Sequence, residues 1–469
     1  MQLHEAEFDL RLDFGARDIF ERLDAMPQLS GSKDAVPIRF VVSGSPPGSL
    51  GSAHSSRCEV GFLSGLSASR YARPDSIFRF RRRRYENQSQ FNVVFLVPTG
   101  IGADIGGHAG DATPAARMLA TVCDRLIVHP NVVNAADINE MTANMLYVEG
   151  SVVSRLLMGT AGLCPVRRNR ILTVIHLHEE DIIVHNAINA VNAARAAGGF
   201  ACSEIAAVSQ QMEMKAQYAG SGRAAGTVSR FDLLCDVVAA HRDSCDAVAI
   251  STVIDVSREL HDIYFDAPTA DPRADNDEAR GIVNPWGGIE ALLTHGLSSL
   301  FDIPTAHSPM YEDVELMNSD ADVMEPAKAA EGISVAFLHC ILKGLSVSPQ
   351  IVTDPTLFGR SGVLAAEDLS CLVVPSGSLG LPVLAALHQG IPVIEVKDRN
   401  NLLSNTLQDL PWADRQFFQA ENYFEAAGIL AALRAGVAHE TVQRPLGLAR
   451  GSDVLQVEKQ KRGLDRRLG

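Results

Sequence analysis

No two of the eight cysteines form a Cys-x-x-Cys pair: Cys58, Cys123, Cys164, Cys202, Cys235, Cys245, Cys340 and Cys371 stand apart, most of them inside apolar runs. That spacing excludes a zinc ribbon and a thioredoxin-type redox pair, and it reads the thiols as reduced, buried small hydrophobes. No apolar stretch approaches the ~20 residues that a membrane-spanning helix needs. The acidic opening, residues 1–14, lacks the apolar core of a secretion signal. These absences set the expectation of a cytoplasmic chain without a membrane partner. Positive charge is in deficit, with 41 Lys+Arg against 56 Asp+Glu and a net charge of -15. A phosphate backbone would be repelled on average, which argues against general nucleic-acid binding. Missing too are a strict GxGxxG fingerprint and a GK[ST] phosphate loop, so neither a dinucleotide motif nor a P-loop is supported. No repeat of fixed period is found.

What is present is the ordinary globular mix, 46% hydrophobic and 21% charged over 469 residues, enough to bury a core without staples. Residues 1–90 read as a small α+β accessory domain, with strands at 7–14, 36–45, 58–65 and 77–86 and a helix at 16–26. Within them the run Arg79, Arg81, Arg82, Arg83, Arg84 reads as a charged edge strand, or as a contact to the acidic body or an anion. From Phe91 onward buried strands alternate with amphipathic helices, the signature of helix-covered parallel sheets. The expectation is an α/β fold with mostly parallel sheets in two Rossmann-like halves, 91–265 and 266–437, the second with a helical insert, followed by a polar tail at 438–469. Residues 266–281 read as an exposed excursion, and a helical interruption is expected near Gly332.

Five segments carry polar side chains or glycines where strands should end. In the first, 97–114, Gly100, Gly102, Gly106, Gly107 and Gly110 let backbone N–H groups approach a ligand, and a helix with Thr113 as its cap and Pro114 behind it offers its positive end. Asp104, His108 and Asp111 in the same loop suit acid–base work or a divalent metal. The second, 129–141, holds Asn131, Asn134, Asp137, Asn139 and Glu140: hydrogen bonding to a polar substrate, metal ligation by His129 and Asp137, or a loop held by Asx-turns. The third, 215–226, has Lys215 and a Gly-Ser-Gly-Arg run in which Arg223 can clamp a carboxylate or phosphate. The fourth, 284–310, contains Trp286 as a stacking platform, Glu290 and His295 five apart on one helix, and the His307–Ser308 pair; neither pairing has the spacing of a zincin or a triad. The fifth, 373–396, places Ser376 and Ser378 among glycines between a strand and a helix, a second anion cradle. His176, His178 and His185 lack a further ligand at sensible spacing and read as strand residues.

The segments PTGIGADIGGHAGDATPAARMLA, HPNVVNAADINEM, SGRAAG, NPWGGIEALLTH and SGSLGLPVLAALHQGIPVI, over about residues 91–405, resemble an uncharacterised family found in cyanobacteria, plants and other bacteria. That resemblance implies no activity. From the residues themselves, the leading expectation is a small-molecule enzyme that binds an anionic metabolite (phosphorylated, nucleotide-linked or carboxylated) between the Gly-rich loops and performs group transfer or isomerisation. In that reading His108, Asp104 and Asp111 are the catalytic groups. The alternatives are a divalent-metal-dependent hydrolase or lyase and a non-catalytic metabolite sensor. Self-association into a homo-oligomer is open to such a chain.

Overall fold

Apolar runs of four to eight residues, separated by helices with one apolar face, lead to two parallel sheets. The computed structural model describes residues 1–29, 34–48, 54–266, 283–317, 323–324, 326–332, 337–360 and 362–446. The 266–281 excursion, the tip of the Gly/Ser/Pro loop, the stretch just after Gly332 and the tail beyond 446 therefore lie, wholly or nearly so, outside the described residues.

The first parallel sheet has six strands, in the order Phe417–Ala420, Val393–Val396, Leu369–Pro375, Asn92–Phe95, Arg125–Val128, Met145–Tyr147. The chain runs outward from Asn92–Phe95 in one direction and outward from Leu369–Pro375 in the other. The order reverses between these two neighbours, and a crevice opens at the carboxyl ends of strands at such a point. The second parallel sheet has four strands, ordered Thr305–Met310, Ala247–Val253, Arg170–His176, Ala201–Val208. The mixed α/β character stands, but the strands are not grouped by a boundary at 265. The first sheet takes strands from both sides of the chain's middle, and the second sheet is inserted between them. The reason is pairing: Leu372 lies beside Val94 and Val373 beside Phe95, in register across more than 270 residues.

Nor do residues 1–90 stand by themselves. Gln2–Leu12, His54–Ser64 and Ala35–Gly44 form an antiparallel three-stranded unit with the third strand of the chain in the middle, which continues on one side into the Met214–Tyr218/Ala224–Val228 hairpin and on the other into Leu379–Gly380. This six-stranded sheet bridges the two parallel ones. Along Ala35–Gly44, Val36 and Ile38 pack into a cluster with Leu172, Val174, Val248 and Ile250 of the second parallel sheet. Phe40 and Val42 join Val94, Leu372 and Val374 of the first. Each such side chain taken from water stabilises the join by roughly 1.5–3 kcal/mol.

The expected strand at 77–86 is irregular chain instead. Its arginines explain why. Arg81 pairs with Glu367 at 3.1 Å and donates to the Gly159 carbonyl. Arg83 donates to the carbonyls of Gln389, Gly390 and Leu369, at the negative end of the Leu381–Gln389 helix. Arg82 and Arg84 face solvent. The contact to the body is thus made by alternate members of the run.

Candidate functional site

At the switch point of the first parallel sheet lies a cleft that opens to solvent. Its floor is the carboxyl ends of three strands and the loops that follow them: Leu96 to Gly107, His129 to Asn134, and Ser378 to Val383. One wall is Ile38 to Val41 of the bridging sheet. The other is the Trp286–Phe301 helix with His307 behind it.

The most polar corner is built around Glu149. This residue ends the run after Met145–Tyr147 and is the N-cap of the Gly150–Leu157 helix, accepting hydrogen bonds from the amides of Ser151 at 3.0 Å and Val152 at 3.3 Å. A carboxylate is favoured there by the helix dipole. Its other oxygen accepts from Thr294 Oγ1 at 3.2 Å and from His295 Nδ1 at 2.5 Å. Burial would raise its pKa, but the His295 partner and the Ser151 hydroxyl and amide outweigh that and hold it at about 2. Glu149 is therefore a carboxylate at any working pH. With Nδ1 committed to Glu149, His295 lines the cleft and its Nε2 has no hydrogen-bond partner among the described residues.

His129 stands opposite. The Val97 amide donates to its Nε2 at 3.2 Å. An amide nitrogen is only a donor, so Nε2 is the acceptor and the hydrogen of the neutral ring sits on Nδ1. Burial, aided by the nearby His295 and Arg39, pushes the His129 pKa down to about 4, against the pull of Glu149; the ring is neutral at pH 7. The absence of a side chain at Gly150 leaves the space between the two rings open. A methyl there would meet His295 Cε1 at 3.1 Å, and His295 Nε2 and His129 Nδ1 at 3.8 Å each. His295 Nε2 and the Nδ1–H of His129 thus border the same small space. A second carboxylate–imidazole pair, Glu290 with His307 Nδ1 at 2.9 Å, lines the same wall, but His307 Nε2 is taken by Thr252 at 2.8 Å.

The sequence-derived candidates divide. Gly100, Gly107, Asn131, Asn134 and Ser378 line the cleft. Asn131 works there as a clamp on the Gly-rich loop, its amide donating to the carbonyls of Val97 and Gly106 at 3.0 and 2.9 Å. The Asn134 Oδ1 accepts from the Tyr147 hydroxyl. Gly100 has φ +78 and packs on the Ala224 backbone. The rest lie off the cleft. Gly102 and Gly106 turn the loop at positive φ. Asp104 and Asp398 exchange hydrogen bonds with the amides of Arg399 and Asp104, and Ser376 bonds the Asp398 backbone, a clasp between two loops. His108 meets the Tyr264 hydroxyl at 2.8 Å, which also donates to Glu331. Asp111 accepts from the Gly106 amide. Burial, with the Glu331 and Asp137 charges nearby, pushes its pKa up to about 8 against that amide and the His108 amide. Asp137 accepts from the Thr113 hydroxyl, and burial raises it to about 6. Trp286 packs on Tyr264, Phe265 and His261 rather than facing the cleft. Among the described residues no three His, Cys, Asp or Glu side chains are grouped to hold a metal ion, so Asp104, His108, Asp111 and Asp137 do not form the metal set that their spacing suggested.

Arg223 requires a correction. It is 1% exposed and bonds Glu59 through Nε and Glu5 through Nη2. Arg39 also pairs with Glu5, at 3.1 Å. The Gly-Ser-Gly-Arg run is a hairpin turn whose guanidinium points into the bridging sheet, because that sheet carries two buried carboxylates that only a cation can balance. It is not an anion clamp.

Glu149 escaped the sequence reading because its partner is 146 residues away. The local signal was there in Glu-Gly-Ser ahead of an amphipathic helix, an acidic residue at a helix start.

Comparison with known proteins agrees with the resemblance drawn from the sequence. The model of a family described as protein of unknown function, DUF3326, matches residues 92–443, and the chain belongs to that family. An uncharacterised lipoprotein of Synechococcus sp. is 32% identical over 346 residues, covering 73% of this chain and 91% of the relative. No solved structure matches. The cytoplasmic placement expected from the opening residues is withdrawn: the relative is named a lipoprotein, and an expectation that rested on a missing leader does not survive beside it. Among the described residues no single helix is long and apolar enough to cross a membrane.

Proposed function

We propose that this DUF3326 protein is an enzyme that moves a proton on a small anionic metabolite, an isomerisation at carbon next to a carbonyl. The observation that carries the proposal is the free Nε2 of His295, its ring oriented by Glu149, across Gly150 from the N–H of a neutral His129. In this reading His295 takes the proton from carbon, and Glu149 stabilises the imidazolium that forms. His129 donates a hydrogen bond to the carbonyl oxygen as negative charge develops on it, and a neutral imidazole suits this because it need not surrender its proton. On an α-hydroxycarbonyl substrate the hydroxyl of the attacked carbon passes its proton to the former carbonyl oxygen, and His295 returns the carbon-derived proton to the former carbonyl carbon, so the carbonyl moves by one carbon and atoms and charge balance without a co-reactant. Transfer through a protein nucleophile is less favoured, because the Ser151 and Thr294 hydroxyls bond Glu149, which is itself committed to His295, and the Ser378 hydroxyl has no base bonded to it among the described residues. The site's position at a strand-order reversal adds support.

The test uses deuterium. The protein is incubated in D2O with a panel of small carbonyl-bearing acids and phosphates, and exchange at carbon is followed by NMR. Exchange into at least one compound is expected, with His295→Gln slowing it by about 10²–10⁴-fold. Exchange that is equally fast in His295→Gln, or none with compounds shown to bind, would end the proposal.

A further inference from the structure

Ser378 is a buried polar residue of the cleft that the proton-transfer step does not use. It is 3% exposed, and among the described residues its Oγ has no hydrogen-bond partner. A hydroxyl left so costs stability unless something else satisfies it. It lies one turn before the Leu381–Gln389 helix, whose N-cap is Gly380 and which no side chain caps. Ser378, Gly380, Leu381 and Val383 all line the cleft. The segment is held in place: Leu379 and Gly380 pair with Val42 and Val41 of the bridging sheet, and the Asn405 amide ties down the Gly377 carbonyl at 2.9 Å.

We infer that Ser378 and the start of the Leu381–Gln389 helix form an oxyanion subsite, which takes the carboxylate or phosphate end of the metabolite. The inference rests on the cleft being the site proposed above and names which end of the ligand lies where. Two observations support it independently: an uncapped helix terminus, which attracts negative charge, and an orphaned hydroxyl beside it. The carboxylates of Glu149 and Glu290 line the cleft too. They repel an anion from that corner, so the charged end is directed to Ser378 and the carbonyl to the His129–His295 corner. Arg39 does not compete for the anion, since its guanidinium is spent on Glu5, Gly288 and Thr99.

The experiment titrates the full chain with inorganic phosphate and, separately, with acetate, by calorimetry. Saturable one-site binding of at least one anion is expected. Ser378→Ala should weaken it about tenfold and Ser378→Asp should abolish it, while His295→Gln leaves it within twofold. Ser378→Ala should be at least as stable as wild type, since it removes an unsatisfied group, so a folding defect does not obscure the result. Acetate binding without phosphate, or the reverse, identifies the end group. No saturable binding of either anion, or equal affinity in Ser378→Ala, overturns the subsite. Failure of the proton-transfer reading would look different: anion binding intact, and exchange at carbon insensitive to His295→Gln.

Discussion

Replacing Arg223 by methionine tests whether that guanidinium is structural, and the magnitude can be worked from its neighbours. Arg223, Arg39, Glu5 and Glu59 form a neutral buried group of four. Glu5 keeps Arg39 when Arg223 is lost, but Glu59, 1% exposed, loses its cation and keeps only hydroxyl partners, Ser221 and Ser43. Removing one partner of a buried pair costs about 3–5 kcal/mol. Glu59 has an escape, which is to take up a proton. Its pKa is now held below the ordinary 4.5, with burial overcome by the Arg223 charge and by bonds from Ser221 and Arg223. At pH 7 protonation of a group of pKa 4.5 costs about 3.4 kcal/mol, which caps the penalty near that figure, and at pH 5 the cost is under about 1 kcal/mol. Arg223→Met should therefore lose about 3 kcal/mol at pH 7, a drop of about 1 M in the urea midpoint for a slope of about 3 kcal/mol per M. The loss should shrink steeply toward pH 5, and adding Glu59→Gln should restore most of it. Urea unfolding of the three variants at both pH values measures this. A stability within about 0.5 kcal/mol of wild type at pH 7, or a loss that does not change with pH, would refute the reasoning.

Two further substitutions separate stability from the site. Gly150→Ala places a methyl where the two imidazoles meet; the helix gains up to about 1 kcal/mol in propensity, but His295 must move, so the chain should stay folded while exchange at carbon falls at least tenfold. A folded Gly150→Ala protein with unchanged exchange would show that the space between the rings is unused. His129 binds its proton near 4 in the folded chain and near 6.5 when unfolded. The unfolded state thus holds more protons between those values, and stability falls by roughly 3 kcal/mol as pH drops from 6.5 to 4. His129→Gln should flatten that part of the stability profile in urea titrations, and an unchanged slope would contradict a buried neutral imidazole.

Much of the fold was legible because its signals are local. The apolar runs at 91–97, 125–130 and 170–178 each became a strand, and the unit at 369–396 became strand, helix and strand as read. Four of the five marked segments supply residues to one cleft for the same reason: polar loops after buried strands must lie at strand ends. What the sequence did not reveal is how distant pieces pair. No local pattern states that Leu369–Pro375 lies beside Asn92–Phe95, or that Arg223 faces Glu5 and Glu59. The catalytic emphasis on His108 followed its glycines, yet this ring turns away to Tyr264. His295 was noted for its distance from Glu290, whereas its partner, Glu149, comes from another element altogether.

The bridging sheet also sets an order of events during synthesis. Its N-terminal three strands are complete once residue 64 has emerged, but the partners of the two outer ones, Ala224–Val228 and Leu379–Gly380, are about 160 and 315 residues further on. At roughly 5–20 residues per second the last of them trails by some 15–60 s. For that time both flanks of the young three-stranded unit present unpaired backbone groups, the kind that recruit stray strands. A nascent chain of this protein accordingly depends on being shielded until its far end arrives.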